Sequence, residues 1–418
     1  MSNFAVYIRM KTSKAHNSLL LLVLLLIGLQ SRGQDYPWIS HNNLMVEARG
    51  HAGVFWHHHF EMQQFNAHYP AFEVSLYQHT FGKDQWEADY LYPYIGVTGY
   101  YANFGVNFEN DTMVGRALGS VFALYPFISY PLNANEHSQL TFKLGVGLGY
   151  LTRHFENFGN YQNFSIGSHM NAAVNLSFEY RQRLSQRLMS VASFGLTHFS
   201  NGSTKLPNYG LNTFSAAWGV AYYLRTPRVN ATPTQRPKRH SFEFDGKRWI
   251  CLDLDYGIGF KNVSQTLGGD STKYYHVHDL SSYLLAEITP YSRAGGGLSL
   301  TLDLSDQTIP GYDTLNVKNY QLTRINYSLC YVMTMDRLSY YFEFGWHMKH
   351  NKVPLSKGNI YQKVTARYQL HDNIYAHFCL MTHFGRADYL CFGLGYRFNQ
   401  KYYINHENST KRFPPGIR

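Results

Sequence analysis

A histidine and a serine stand two residues apart in residues 196–202, which read LTHFSNG. The apolar alternation that precedes them predicts a β-strand, and residues i and i+2 of a strand project from the same face. A hydroxyl becomes a nucleophile toward an acyl carbon when a neighbouring base takes its proton. His198 and Ser200 therefore indicate esterase chemistry. The competing interpretation is a pair of polar residues at the rim of a β-barrel.

The face that carries this pair is apolar. Phe194 and Leu196 have the same strand parity as His198 and Ser200. In the next predicted strand, Asn212 has the parity of the apolar set, which consists of Phe214, Ala216, Trp218, Val220, Tyr222 and Leu224. We therefore expect His198, Ser200 and Asn212 at the rim of one apolar face, which faces lipid if the protein is a membrane barrel.

The amino-terminal residues 1–33 have the pattern of a secretory signal peptide. Arg9, Lys11 and Lys14 precede a short apolar run at 19–29, and small residues follow it near Gly33. A basic segment, a short apolar segment and small residues at the cleavage site define such a signal. A retained membrane helix is the alternative, although the run is barely long enough to span a bilayer.

The composition predicts an all-β protein, a transmembrane antiparallel β-barrel of a Gram-negative outer membrane. Aromatic residues make up 17% of the chain and charged residues 15%, with 35 Tyr and 28 Phe, while the mean hydropathy is below zero. Outer-membrane strands alternate apolar and polar residues and end in aromatic girdles. A soluble two-sheet sandwich also alternates and is the alternative.

The region 34–224 contains eight strand-like segments. Eight antiparallel strands suffice to close the smallest outer-membrane barrels. If the amino terminus lies in the periplasm, the seventh segment runs outward and His198 lies at the outer leaflet, where lipopolysaccharide is found. The predicted segments are 44–55, 71–81, 92–104, 114–130, 140–151, 168–181, 187–199 and 211–224.

A second β region follows a connector. Residues 225–248 are rich in proline and arginine and predict a periplasmic connector. Residues 249–398 contain about eight further segments, and residues 399–418 form a polar, basic tail. The chain can form two eight-stranded barrels or one barrel of about sixteen strands. The single barrel is slightly favoured, because a polar connector of this length can serve as one periplasmic turn.

The net charge of +10 does not indicate a nucleic-acid partner. Much of the positive charge lies in the connector and the tail, and the sequence shows no helix-borne basic stripe or nucleic-acid-binding module. Solvated polar segments explain it, and attraction to anionic lipid headgroups is compatible with it. The oligomeric state is left open.

The cysteines and histidines do not have the spacing of a metal site. Cys379 and Cys391 are equidistant from Gly385, so a hairpin that turns there would place them opposite each other. A disulfide and two small buried residues are both compatible with this spacing. The run His57-His58-His59 reads as surface or interfacial histidines, because strand neighbours point to opposite faces. We expect no metal and no cofactor.

Two further motifs have structural interpretations. Gly145, Gly147 and Gly149 lie within a strand pattern and indicate close packing in the barrel interior rather than a phosphate loop. Thr382-His383-Phe384 repeats the sequence at 197–199, but Gly385 replaces the serine and His383 has the inward parity of its strand. The second region is therefore not expected to contain a working copy of the pair.

The sequence around the pair resembles the H-x-S-N…P-N-x-G signature of the PagL-type lipid A 3-O-deacylases, or acyloxyacyl hydrolases. The matching residues are 198–202, HFSNG, and 207–210, PNYG, and the resemblance extends over about 44–224, including NYQN at 160–163 and IGS at 166–168. It implies an eight-stranded barrel whose site faces lipid near the outer surface.

The resemblance also implies roles for individual residues. His198 would be the general base, Ser200 the nucleophile and Asn208 an oxyanion-stabilising amide, with Asn201 and Gly202 providing backbone amides. The family pattern has an acidic third residue where this chain has Asn212. An amide can hold the imidazole tautomer, but it cannot stabilise an imidazolium as a carboxylate does.

The predicted function is therefore an outer-membrane ester hydrolase that removes a fatty acyl chain from lipid A of lipopolysaccharide, without a cofactor. Lipid A and the surrounding outer-membrane lipids are the expected partners. The main alternative is a non-enzymatic barrel, either a pore or a structural protein. An acyltransferase would need the same residues and is a closer alternative.

Overall fold

The computed structural model describes residues 43–56, 62–80, 84–134, 137–226, 247–262, 274–289, 291–308, 322–348, 359–383 and 386–403. They form two closed barrels, each of eight antiparallel strands. The described residues also divide into two compact units. The first unit comprises those within Met1–His154, His169–Phe199 and Leu211–Arg239, and the second comprises those within Phe155–Ser168, Ser200–Gly210 and His240–Arg418. The predicted signal peptide and most of the predicted connector lie outside the described residues.

The first barrel closes where β1 pairs with β8. Its strands are β1 (Leu44–Phe55), β2 (His68–His79), β3 (Tyr94–Asn103), β4 (Ser120–Ala134), β5 (Ser138–Leu151), β6 (Met170–Arg183), β7 (Leu188–Ser200) and β8 (Leu211–Tyr223). Two short helices, α1 (Gln85–Asp89) and α2 (Thr112–Leu118), lie between strands.

The predicted start of the fourth strand at Val114 is wrong, because Val114 lies in α2. The Asp111 side chain caps this helix by accepting a hydrogen bond of 2.8 Å from the backbone N–H of Met113. Gly119 ends the helix with a φ of 63°, a left-handed conformation that glycine adopts without steric cost. Strand β4 then begins at Ser120.

The second barrel closes where β9 pairs with β16. Its strands are β9 (Lys247–Asn262), β10 (Tyr274–Thr289), β11 (Ser292–Asp303), β12 (Thr323–Met335), β13 (Leu338–His347), β14 (Ile360–His371), β15 (Ile374–His383) and β16 (Arg386–Tyr403). A 3₁₀ helix, Leu304–Thr308, follows β11.

The preference for a single barrel of about sixteen strands is wrong. Each half pairs its own first and last strands, so the strand edges that a larger barrel would have to join are already hydrogen-bonded. Strand β16 also extends beyond the predicted end at Phe398. The residues Asn399-Gln400-Lys401 are polar and interrupt the apolar alternation, but backbone pairing with β9 continues to Tyr403.

Both barrels have an apolar exterior and a polar interior. Within the described residues, no helix is long and apolar enough to cross a membrane. Large apolar side chains are exposed on the outward-facing positions of the strands. Examples are Phe122, Leu124, Leu148, Phe194 and Trp218 in the first barrel and Leu254, Leu284, Leu298, Leu329, Phe392 and Leu394 in the second.

A charge network fills the interior of the first barrel. The Arg181 guanidinium donates to Glu47 at 3.1 Å and to Glu179 at 2.8 Å. Arg49 lies 2.9 Å from both Glu47 and Glu179. All four side chains are buried. Because a buried charge is costly unless it is paired, each of these groups depends on its neighbours.

The second barrel has a separate internal network. Asp253 accepts from Arg367 at 2.8 Å and from Arg397 at 2.8 Å, and Lys363 lies 3.2 Å from Asp279. Cys379 and Cys391 are opposite each other in β15 and β16 and form a disulfide, which settles the pairing that their spacing left open. His383 is buried, as its inward parity predicted.

We expect the substitution Arg181→Ala to destabilise the first barrel by about 3–5 kcal/mol, the usual cost of breaking a buried ion pair. The substitution leaves Glu47 and Glu179 buried with fewer partners. Urea-induced unfolding of the protein in lipid vesicles, followed by tryptophan fluorescence, measures the change. Arg187→Ala is the matched control, because Arg187 is exposed and bonds Thr226. Equal unfolding midpoints for the two variants would contradict the proposed importance of the network.

Candidate functional site

Strands β7 and β8 bring His198 and Asn212 together. The two residues are directly opposite each other in the antiparallel register, and His198 Nδ1 donates a hydrogen bond of 2.6 Å to Asn212 Oδ1. The backbone carbonyl of Asn212 accepts from the N–H of Trp56 at 2.9 Å, just beyond the end of β1. Asn212 is therefore fixed by both neighbouring strands, and it orients the imidazole with Nε2 as the acceptor nitrogen.

Burial along β7 follows the predicted parity. Thr197 and Phe199 are buried, whereas Phe194 is exposed and His198 is half-buried on the opposite face. Close packing holds the inward residues, since a Cβ on Gly149 would lie only 2.8 Å from the ring of Phe199. This agrees with the predicted packing role of Gly149. The Phe199 ring thus anchors the end of β7, with His198 on the outward face.

An exposed aromatic surface adjoins the His198–Asn212 pair in the first unit. Phe194 and Phe214 stack with ring centroids 5.8 Å apart, and Trp56 lies 5.2 Å from Phe214. Phe194 precedes His198 on the same face of β7, and Phe214 follows Asn212 on the same face of β8. The surface is suited to contact with a hydrocarbon chain.

In the second unit, two N–H donors converge on the hydroxyl of Ser200. Ser200 Oγ accepts from Asn208 Nδ2 at 2.9 Å and from the backbone N–H of Gly202 at 3.2 Å. The Asn208 amide is itself oriented, because its Oδ1 accepts from the backbone N–H of Asn201 at 3.2 Å. Ser200 and Asn208 are each only 4% exposed. The serine oxygen thus lies in a small, buried group of N–H donors.

The turn after Ser200 depends on a glycine. Gly202 has a φ of 63° and Ser203 has a φ of 64°, both in the left-handed region. In this turn, the Gly202 N–H points back to Ser200 Oγ. A side chain at position 202 would add the cost of a left-handed φ, which glycine does not incur.

The segment Phe155–Ser168 supports this turn within the second unit. Asn201 Nδ2 donates to Ser168 Oγ at 3.0 Å and to the backbone carbonyl of Lys205 at 2.8 Å. The Gly210 N–H donates to the carbonyl of Ser165 at 2.9 Å. Ser168 of the IGS motif at 166–168 therefore contacts Asn201, and Ser165, which precedes the motif, contacts the end of the PNYG segment.

The predicted site residues form two bonded groups. His198 and Asn212 are paired in the first unit, and Ser200, Asn201, Gly202 and Asn208 are connected by hydrogen bonds in the second. The sequence did not single out Ser168 as a partner of Asn201, because strand parity carries no information about loop contacts. His57-His58-His59 lies outside the described residues. Within the described residues, no cluster of three His, Cys, Asp or Glu side chains could hold a metal ion.

Two family models match the chain, and together they cover most of it. Residues 71–221 match the model described as lipid A 3-O-deacylase (PagL). Residues 250–400 match the model described as acyloxyacyl hydrolase, C-terminal domain. The first match contains all the predicted site residues, and the second lies within the second barrel. No curated protein matches the chain.

Solved structures of outer-membrane barrels are similar to parts of the chain. The outer-membrane enzyme PagL is 15% identical over 41% of this chain and 97% of its own, with a TM-score of 0.28. Neisserial surface protein A is 8% identical over 43% of this chain and 97% of its own, with a TM-score of 0.29. A triple mutant of the Rhodopseudomonas blastica porin is 10% identical over 85% of this chain and 100% of its own, with a TM-score of 0.20.

The family assignment thus comes from the two sequence matches, and the closed barrels with apolar exteriors agree with it. The chain is an outer-membrane β-barrel protein in which residues 71–221 match the PagL family of lipid A 3-O-deacylases and residues 250–400 match the acyloxyacyl hydrolase C-terminal domain.

Proposed function

We propose that this protein is an esterase that removes a fatty acyl chain from lipid A, with Ser200 as the nucleophile and His198 as the general base. The observation that carries the proposal is the polar environment of Ser200 Oγ, which receives N–H groups from Asn208 and Gly202 at the end of a lipid-facing strand. Acyl transfer requires a base for the hydroxyl proton and N–H donors for the oxyanion, and the two donors beside Ser200 support the second of these roles.

In the proposed reaction, Ser200 Oγ attacks the acyl carbon of the ester and His198 Nε2 takes the hydroxyl proton. The tetrahedral intermediate collapses as the ester C–O bond breaks, and the imidazolium gives its proton to the departing sugar oxygen, which leaves as a hydroxyl. Water then attacks the acyl-serine with the same base, which releases the fatty acid and regenerates Ser200. Asn212 holds Nδ1 protonated, so that Nε2 is free to act as a base.

The negative charge of the intermediate develops on the former carbonyl oxygen of the ester, which is separated from Ser200 Oγ by one carbon atom. The two N–H groups beside Oγ would donate to this oxygen once the acyl group is attached. Asn208 Nδ2 and the Gly202 N–H are already held in place by the surrounding turn, so little reorganisation is needed when charge develops. Preorganised donors of this kind contribute about 3–4 kcal/mol each to acyl-transfer catalysis. The aromatic surface formed by Trp56, Phe194 and Phe214 offers a contact for the acyl chain, and the substrate would arrive by lateral diffusion in the outer leaflet.

The interiors of the barrels favour an enzyme over a pore. Arg49 and Arg181 in the first barrel and Arg367 in the second are fully buried within their ion-pair networks. Barrels of eight strands have an interior just wide enough to be filled by side chains. The described residues therefore give no support to an aqueous lumen, which was the main alternative function.

We expect Ser200→Ala and His198→Ala each to reduce the deacylation of lipid A by roughly 10⁴- to 10⁶-fold, the loss seen when a member of a Ser/His catalytic pair is removed. Mass spectrometry of lipid A from a Gram-negative host that expresses each variant measures the loss of one acyl mass. The wild-type protein should produce this loss together with free fatty acid, whereas an acyltransferase would place the chain on another lipid.

Ser190→Ala is the matched control for this experiment. Ser190 lies on the same outward face of β7 and accepts from Trp218 Nε1 at 3.0 Å, but it is remote in sequence from the predicted site. Its lipid A profile should equal that of the wild type. Deacylation that persists in Ser200→Ala would refute the proposed nucleophile.

We expect Asn212→Asp to increase kcat about fivefold, because a hydrogen bond to a charged group contributes about 1 kcal/mol more than a neutral one. A carboxylate at this position would stabilise the imidazolium that forms on His198. Initial rates of fatty acid release from lipid A in detergent micelles measure the effect. Asn212→Ala, which removes the hydrogen bond to Nδ1, should lower kcat. A slower Asn212→Asp enzyme would contradict the assigned role of residue 212.

A further inference from the structure

The turn after Ser200 contacts two strands of the C-terminal domain within the second unit. Ser203 Oγ donates a buried hydrogen bond of 2.8 Å to the backbone carbonyl of Ala387 in β16. The backbone carbonyl of Ser203 accepts from the N–H of Asn262, the last residue of β9, at 3.0 Å. Ser203 is thus bonded through both its side chain and its backbone to residues that belong to the acyloxyacyl hydrolase C-terminal domain.

Gly202 packs against the same strand. A Cβ built on Gly202 would lie 2.3 Å from Cγ of Leu390, so the Leu390 side chain lies directly over the glycine. The N–H of this glycine is one of the two donors to Ser200 Oγ. Three contacts from β9 and β16 therefore converge on the two residues that orient this donor.

These contacts fix a conformation that the turn would not hold alone. Ser203 has a φ of 64°, which is unfavourable for a residue with a Cβ and persists only when the surroundings determine it. Its hydroxyl, its carbonyl and the adjacent glycine are each constrained by the C-terminal domain. Loss of a constraint would allow the peptide to relax, and the Gly202 N–H would turn away from Ser200.

We infer that the C-terminal domain is part of the hydrolase site, because Ser203 and Leu390 act as positioning residues for the oxyanion donor at Gly202. This inference rests on the proposed function and assigns a role to the second barrel. It implies that the segment Ser200–Gly210, which belongs to the second unit, depends on the second barrel for full activity. The Gly202 N–H would stabilise the transition state rather than the bound substrate, because it acts when negative charge develops.

Ser203→Ala and Leu390→Ala in the full-length protein test the inference. We expect each to lower kcat for lipid A deacylation about tenfold, a part of the 10²- to 10³-fold loss that follows complete removal of an oxyanion donor. KM should stay unchanged, because the substrate ground state does not use the donor. Amide hydrogen exchange should become severalfold faster in peptides from 200–210, while peptides from β7 keep their protection.

Matched controls lie elsewhere in the second barrel. Ser282→Ala removes a hydroxyl that donates to the carbonyl of Leu298 at 3.1 Å, and Leu394→Ala shortens an exposed leucine of β16. Both variants should retain the wild-type kcat and the wild-type rates of amide hydrogen exchange. The gel mobility shift between heated and unheated samples checks that every variant folds.

Each outcome has a distinct meaning. If Ser203→Ala and Leu390→Ala match their controls in kcat and in exchange while Ser200→Ala is inactive, the positioning role is wrong and the hydrolase remains. A lower kcat accompanied by an equal rise in KM, with unchanged amide hydrogen exchange, also overturns the positioning role. A wild-type protein that leaves lipid A intact overturns the proposed function and this inference with it.

Discussion

Backbone hydrogen bonding in lipid is the constraint on which the structure depends. A strand in a bilayer has no water to satisfy its N–H and C=O groups, so a sheet must close on itself. This chain meets that requirement twice, through β1 with β8 and through β9 with β16. Because successive side chains of a strand point to opposite faces, a closed barrel has one residue in two facing lipid and the other facing the interior. This explains the apolar exteriors and the paired charges inside.

The same constraint determines where a hydrolase site can be placed. Polar side chains on the lipid face are tolerated only near the ends of strands, where the apolar region gives way to headgroups. His198 lies near the end of β7, opposite Asn212 near the start of β8, where the proposed site would meet this requirement. The loop that follows β7 contains Asn208 and Gly202, whose N–H groups are not needed for strand pairing and donate to Ser200 Oγ.

Sequence reasoning was successful where strand periodicity applies. The period of two predicted the all-β barrel and the inward position of His383, because each depends only on alternation. The shared face of His198 and Ser200 stays a prediction. It could not distinguish one barrel from two, since alternation is identical in both and only the partners of β1 and β9 differ. It also missed α2, where the capping by Asp111 outweighs the apolar pattern around Val114.

The loops of the site show a second limit of sequence reasoning. The resemblance to PagL-type enzymes pointed to Asn208, yet the contacts of Ser203 with Ala387 and of Gly202 with Leu390 join residues far apart in the chain. No periodicity or short motif encodes such contacts. The carbonyl of Ala387 is a backbone group, so any residue that preserves the strand at position 387 would provide it. The identity of that residue therefore carries no signal of the contact.

The most direct test of the proposed hydrolase site is to identify its nucleophile chemically. The purified protein is reacted with a serine-directed fluorophosphonate, and the adduct is located by tandem mass spectrometry. We expect an adduct on Ser200 that forms slowly in His198→Ala and is absent in Ser200→Ala. An adduct on a different serine, or labelling that is unchanged in Ser200→Ala, would contradict the assignment of the hydrolase site to the end of β7.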